Sequence, residues 1–187
     1  MTDLVPVPGQ TIGPFFGFAL PYAGGSELVP PGSPGGLVLR GRVLDGADQP
    51  VPDALIEIWQ RGPNGAIVRR GGSLRRDGWT FTGWGRAATN NAGVYSFSTV
   101  VPGASGGAPA FFAISLFARG LTNRLFTRAY LPAEPAALAD DPLLSGLPDE
   151  RRRTLLASRA GGNLVFDIRL QGERQTVFLR YRAHPDR

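Results

Sequence analysis

The sequence predicts an all-β protein, an antiparallel β-sandwich with long loops and one short helix. Three observations carry that expectation. Apolar and polar residues alternate with period two in about seven short runs, the signature of strands with one buried face. The 26 glycines and 17 prolines separate those runs rather than clustering in low-complexity tracts. Only one stretch combines helix start and stop signals. At 187 residues the chain reads as a single domain over 1–187, long enough to bury a core without disulfides or metal, and no internal repeat is visible.

The opening segment, GQTIGPFFGFALPYAGG, has no sustained period. Phe15, Phe16, Phe18 and Tyr22 are too apolar to stand free in water, so residues 1–36 read as an arm and loop packed on the body or on a partner chain. Gly13 and Pro14 set a fixed bend beside Thr11, which is either a structural turn or a place where a hydroxyl meets a ligand. Residues 37–44 (LVLRGRVL) and 53–60 (DALIEIWQ) read as strands joined by the turn DGADQPVP, with Trp59 expected in the core. Residues 61–82, with four arginines after Arg61, form a long irregular stretch and a candidate functional loop. Alternation returns over 93–103, where Tyr95, Phe97, Thr99 and Val101 share one face.

Residues 109–131, PAFFAISLFARGLTNRLFTRAYL, read as a hairpin turning at 118–123. In its first strand Phe112, Ile114 and Leu116 lie opposite Phe111, Ala113, Ser115 and Phe117, and both faces are largely apolar. In its second, Leu125, Thr127, Ala129 and Leu131 lie opposite Arg124, Phe126, Arg128 and Tyr130. A cation at 128 between two aromatics is costly in an apolar wall unless an anion meets it. It is a surface arginine, half of an internal salt bridge, or a ligand contact. Farther on, 132–148 is a proline-rich loop, PDERRRTLLASRAGG carries the helix, and NLVFDIRL and TVFLRYR are the last two strands.

Composition excludes several kinds of chemistry. With no cysteine there is no disulfide framework, thiolate zinc site or cysteine nucleophile, and a reducing, cytoplasmic setting is expected. The first ten residues lack a signal-peptide pattern, and no run reaches membrane-spanning length. The net charge is +5, and all 20 basic residues are arginine. Their one dense cluster, Arg151 to Arg153, follows Asp149 and Glu150 and reads as a solvated helix face, so no nucleic-acid partner is expected. The single histidine, His184, lies near the C-terminus and supports neither a Ser-His-Asp triad nor a multi-histidine metal site. No phosphate loop, dinucleotide fingerprint or calcium loop is present, and no self-contained set of catalytic residues emerges.

Five segments together resemble one family. QTIGPFF, GRVLDGADQPVPDALIEIWQ, GRAATNNAGVYSFSTVVPG, ISLFARGLTNRLFTRAYL and FDIRLQGERQTVF occur in the order found in intradiol ring-cleaving dioxygenases. Within that family they are most similar to the alpha subunits of the enzymes that act on protocatechuate. The second segment alone also resembles transthyretin-like sandwich modules, which leaves a stand-alone binding module as the alternative.

In the iron-bearing chains of the family, Fe(III) is held by two tyrosines and two histidines, hard phenolate oxygens and imidazoles suited to a ferric ion. The resemblance places the His-x-His pair at Phe111 and Ala113, the first tyrosine near Ile67, and the second within 102–109, where PGASGGAP contains none. It therefore implies that the iron is held by a homologous beta subunit, in an alpha-beta hetero-oligomer whose active site lies where the subunits meet. It further implies that Thr11, Gly13 and Pro14 form part of the substrate pocket's wall. Arg128, in TRAY, matches an arginine that the alpha chain contributes beside the substrate carboxylate. Residues 124–126 depart from the family pattern, reading Arg-Leu-Phe where histidines are expected.

Overall fold

The structure, a computed structural model, describes residues 9–11, 13, 15–133 and 135–181. Pro14, His184 and the end of the last expected strand lie outside the described residues. In chain order the elements are α1 (Phe16–Ala19), β1 (Gly36–Leu44), β2 (Leu55–Trp59), β3 (Trp84–Ala88), β4 (Val94–Val100), β5 (Phe111–Phe117), β6 (Leu125–Tyr130), α2 (Pro135–Ala139), α3 (Pro142–Ser145), α4 (Asp149–Arg153), β7 (Ser158–Ala160), β8 (Asn163–Val165) and β9 (Ile168–Arg169). They build two sheets. One has the order β4-β1-β8-β7 with β9 also on β1, and the other is β3-β2-β5-β6. Among the described residues no helix is long and apolar enough to cross a membrane.

Alternation within the strands creates the core between the sheets. Leu37, Leu39 and Val43 of β1, with Tyr95 and Phe97 of β4, meet Ile56 and Ile58 of β2 and Phe112, Ile114 and Leu116 of β5. Most of these side chains are wholly buried, each worth about 1.5–3 kcal/mol relative to exposure. A second apolar cluster, Tyr130, Leu138, Leu144 and Leu155, fills the space between the end of β6 and the turns α2 to α4.

The β-sandwich is the expected one, but its first sheet is mixed. β8 and β9 both run parallel to β1, pairing at Leu39 and Arg40 and again at Val43 and Leu44. Between the two ladders the chain bulges at Phe166 and Asp167. Arg42 N donates to the Asp167 side chain at 2.9 Å, so a carboxylate replaces the missing backbone acceptor. Gly41 sits at the crossing, where a Cβ would stand 1.8 Å from the Phe166 carbonyl oxygen. That oxygen also accepts from the Tyr95 hydroxyl.

The helix expected across 148–162 is a single turn. Pro148 and the acidic pair at 149 and 150 do start it, but Thr154 ends it, donating Oγ to Arg151 O and accepting from Val177 N. Beyond that point the backbone pairs with the end of β6, through Tyr130 N to Leu155 O and Ala157 N to Tyr130 O. Gly161 and Gly162, read as the helix stop, are the turn of the β7–β8 hairpin, and both take positive φ, as a tight two-residue turn requires. Tertiary pairing has overridden local helix signals. Three further short helices, α1 to α3, were also unforeseen.

Strand β3 was missed because WGRAA is poor in β-forming side chains. It exists because Gly85 and Ala87 are small enough to lie against the core, where a Cβ on Gly85 would meet Leu28 at 2.4 Å. Trp59 is not a core residue: Ile58 points inward, so its neighbour must point out, half-buried on the far face of the second sheet. The run 176–181 carries no strand of its own and meets β6 through one β-bridge at Leu179 and Phe126, with Thr127 Oγ1 also donating to Val177 O.

Gly41→Ala is expected to destabilise the fold by about 3 kcal/mol, the upper range for forcing an atom into a packed interior. Chemical denaturation of the variant checks this, and a change below about 1 kcal/mol would show that the parallel junction can relax.

Candidate functional site

Inward placement of Phe112, Ile114 and Leu116 turns Phe111, Ala113 and Ser115 onto the outer face of the second sheet. Register then aligns two rows across four strands. One is Trp84, Trp59, Ala113 and Arg128; the other is Arg86, Glu57, Ser115 and Phe126. Trp59, Trp84, Ala113, Ser115, Phe126 and Tyr181 border a cavity of about 210 Å³. Phe111 lies at a smaller one of about 40 Å³, between the end of β2 and residues 103–110.

The face carries two arginines in different states. Arg86 is fully engaged: it forms an ion pair with Glu57 at 2.6 Å, donates to Leu20 O at 3.0 Å and lies 5.1 Å from the Trp84 ring centroid. Arg128 is half-buried and has no carboxylate within 4.0 Å among the described residues. Its guanidinium stacks 4.3 Å from the Phe111 ring centroid and donates once, from Nη1 to the Tyr130 hydroxyl at 2.9 Å. Arg128 is thus neither salt-bridged nor fully exposed. Its other N–H groups are not sealed in the interior, since among the described residues no buried side-chain donor is left unsatisfied.

Phe111, Ala113 and Arg128 therefore share one face. Residues 62–66 pack on 103–105, with Gly103 N donating to Gly62 O at 2.9 Å, so the two loops expected to carry tyrosines in an iron-bearing relative also meet here. Ile67 follows directly, its side chain about half exposed. Thr11 lies elsewhere on the hairpin, at the β5–β6 turn, where its hydroxyl accepts from Gly120 N at 3.2 Å. Gly13 takes φ +70°, a conformation that favours glycine. No hydrogen bond links Thr11 to Arg128 within the chain.

The long loop 61–82 has a structural explanation. Arg76 donates to Gly24 O, Gly25 O, Trp84 O and Thr82 Oγ, and the Tyr22 hydroxyl reaches Ser73 O. These contacts pin the loop to the arm and to β3.

Sequence reading missed Tyr130 and Asp141. The Tyr130 hydroxyl donates to Asp141 Oδ1 at 3.1 Å, and the same oxygen accepts from Leu143 N and Leu144 N at the start of α3. Asp141 before Pro142 is a legible cap signal, but nothing local announces its contact with Tyr130. Burial pushes the Tyr130 phenol up to about 12, with Arg128 pulling the other way. Burial also raises the Tyr95 phenol.

Compared with known proteins, residues 12–172 match the dioxygenase family model. The chain belongs to the intradiol dioxygenase family. It is 36% identical to the protocatechuate 3,4-dioxygenase alpha chain of Burkholderia cepacia, over 95% of this chain and 98% of that one. Against the beta chain from the same organism it is 35% identical, over 77% of this chain and 68% of that one. In structure it resembles the dioxygenase domain of a dioxygenase carbohydrate-binding protein fusion from Streptomyces sp. SirexAA-E, with a TM-score of 0.57 and 27% identity over 90% and 99% of the two chains.

The family uses Fe(III), and the residues present at the expected ligand positions do not fit it. Isoleucine, phenylalanine and alanine at 67, 111 and 113 offer no oxygen or nitrogen side-chain donor, and 102–109 contains only the Ser105 hydroxyl. Among the described residues, no three His, Cys, Asp or Glu side chains gather as a metal site.

Raised phenol values make stability fall at high pH. An unfolded tyrosine releases its proton near pH 10, whereas folded Tyr130 holds its own to about 12. The tyrosine contribution is present below pH 10 and is lost as pH rises through 12. Denaturant midpoints should decline over that window, and Tyr130→Phe should flatten the decline; an unaltered slope would show that Tyr130 titrates normally.

Proposed function

We propose that this chain is a non-iron alpha subunit of a protocatechuate 3,4-dioxygenase. It completes the substrate pocket of a homologous iron-bearing beta subunit, and the complex cleaves protocatechuate with O2 to 3-carboxy-cis,cis-muconate. The observation that carries the proposal is an intact family fold whose expected ligand positions hold no donor atom. Similarity across nearly the whole length of an alpha chain supports it, as does the likeness to the beta chain, which makes a complex of two related subunits natural.

Arg128 supplies what such a subunit needs. A half-buried guanidinium with unused donors, stacked on an apolar face, favours a carboxylate such as that of protocatechuate. The arm supplies a docking element. Phe16 is buried in this chain, while Phe15 and Phe18 on the same turn are 77% and 83% exposed and suit the partner surface. Thr11 and Gly13, at the neighbouring bend, would border the pocket from that side.

Co-expression with a homologous chain bearing the two tyrosines and His-x-His is expected to yield a stable complex that contains iron and cleaves protocatechuate. This chain purified alone should do neither, and an iron-loaded, active preparation of it alone would overturn the proposal. In the complex, Arg128→Ala should raise KM for protocatechuate roughly 10–100-fold, the loss of one charge-assisted contact, with iron content unchanged. Parallel loss of iron and activity would assign Arg128 a structural role.

A further inference from the structure

Arg128 is held by parts that the family's iron chemistry does not explain. Its guanidinium lies 4.3 Å from the Phe111 ring centroid, and Phe111 in turn packs on Tyr130 with ring centroids 5.3 Å apart, inclined at 51°. The Tyr130 hydroxyl has one proton and faces two polar groups. Asp141, acting as an acceptor, takes that proton at 3.1 Å, which leaves a lone pair for Arg128 Nη1 at 2.9 Å. The direction of the chain is therefore set: Arg128 to Tyr130, Tyr130 to Asp141. Two backbone N–H groups of α3 hold Asp141 in place, and Tyr130 and Asp141 are both buried.

We propose that Phe111, Tyr130 and Asp141 are positioning residues that hold Arg128 in one orientation and aim its remaining N–H groups at the substrate carboxylate. This rests on the pocket role given to Arg128 above. The arrangement has a particular electrostatic merit. A carboxylate bound directly to Arg128 would occupy the donors that a ligand requires. With Asp141 set one residue back, behind a neutral phenol, the negative charge steadies the guanidinium while its outer donors remain available. The high phenol value keeps the Tyr130 proton in place across the working pH range. Phe111, at a position where the iron-bearing relatives are expected to carry a ligand, serves here as the flat surface on which the arginine rests.

The reconstituted complex tests this through substrate discrimination. Tyr130→Phe keeps the ring and the packing but removes both hydrogen bonds of the hydroxyl. It is expected to raise KM for protocatechuate about tenfold, with a smaller effect on kcat, and to reduce the preference for protocatechuate over catechol, which lacks the carboxylate. Combined with Arg128→Ala, it should add almost nothing, because both changes remove the same contact. Equal losses on the two substrates, or full additivity with Arg128→Ala, would overturn the inference and leave Tyr130 a packing residue. A raised KM in Arg128→Ala with none in Tyr130→Phe would refute the positioning role alone. An unchanged KM in Arg128→Ala would refute the positioning role together with the pocket role of Arg128. Should Tyr130→Phe fail to assemble, Asp141→Asn keeps an oxygen for the α3 cap while removing the charge, and the same discrimination ratio decides.

Discussion

The antiparallel pairing of β5 with its two neighbours is the constraint on which the rest of the molecule depends. Burial of Phe112, Ile114 and Leu116 against the opposite sheet leaves no choice about Phe111, Ala113 and Ser115, because side chains alternate along a strand. A slip of β5 by one residue would turn its core side chains outward and move Phe111 away from Arg128. Register therefore does more than hold the sandwich together. It brings Phe111, Ala113 and Arg128 onto one face, where the resemblance expects the family's chemistry.

That face sets apolar side chains beside a cation. Isoleucine, phenylalanine and alanine at 67, 111 and 113, where the resemblance would place iron ligands, carry no donor atom, whereas the neighbouring strand presents Arg128. The two features meet at Phe111. An aromatic ring cannot ligate iron, but it presents a flat, electron-rich surface to a guanidinium, and Arg128 lies on it. Tyr130 and Asp141 complete the setting from behind, tying the site to the second apolar cluster and to the cap of α3. The phenol that accepts from the arginine is buried, and burial raises it to about 12.

Where local signals and tertiary pairing conflicted, pairing won. Residues 155–160 have good helix formers and a helix start before them, yet the free end of β6 captured them as extended chain through Tyr130. Conversely, the glycine and alanines of β3 have little intrinsic preference for a strand, but their small size suits a sheet position crowded by Leu28. Arg86 and Arg76 illustrate the same point for charge. Local sequence assigns neither a partner, and both are spent on backbone carbonyls or a carboxylate within the fold.

Read alone, the sequence determined the all-β class, which residues of β4 and β5 share a face, and the singular position of Arg128. Each of these follows from residue identity and period-two spacing, which are local, whereas the lack of iron ligands at 67, 111 and 113 is what the family resemblance implies. Only the tertiary structure decided that Arg128 has no carboxylate partner among the described residues, that Phe111 supports it, that Trp59 faces outward, and that Asp141 reaches it through Tyr130. Those facts depend on contacts between segments distant along the chain, and on how far a long side chain extends once its neighbours are in place, neither of which a one-dimensional pattern records.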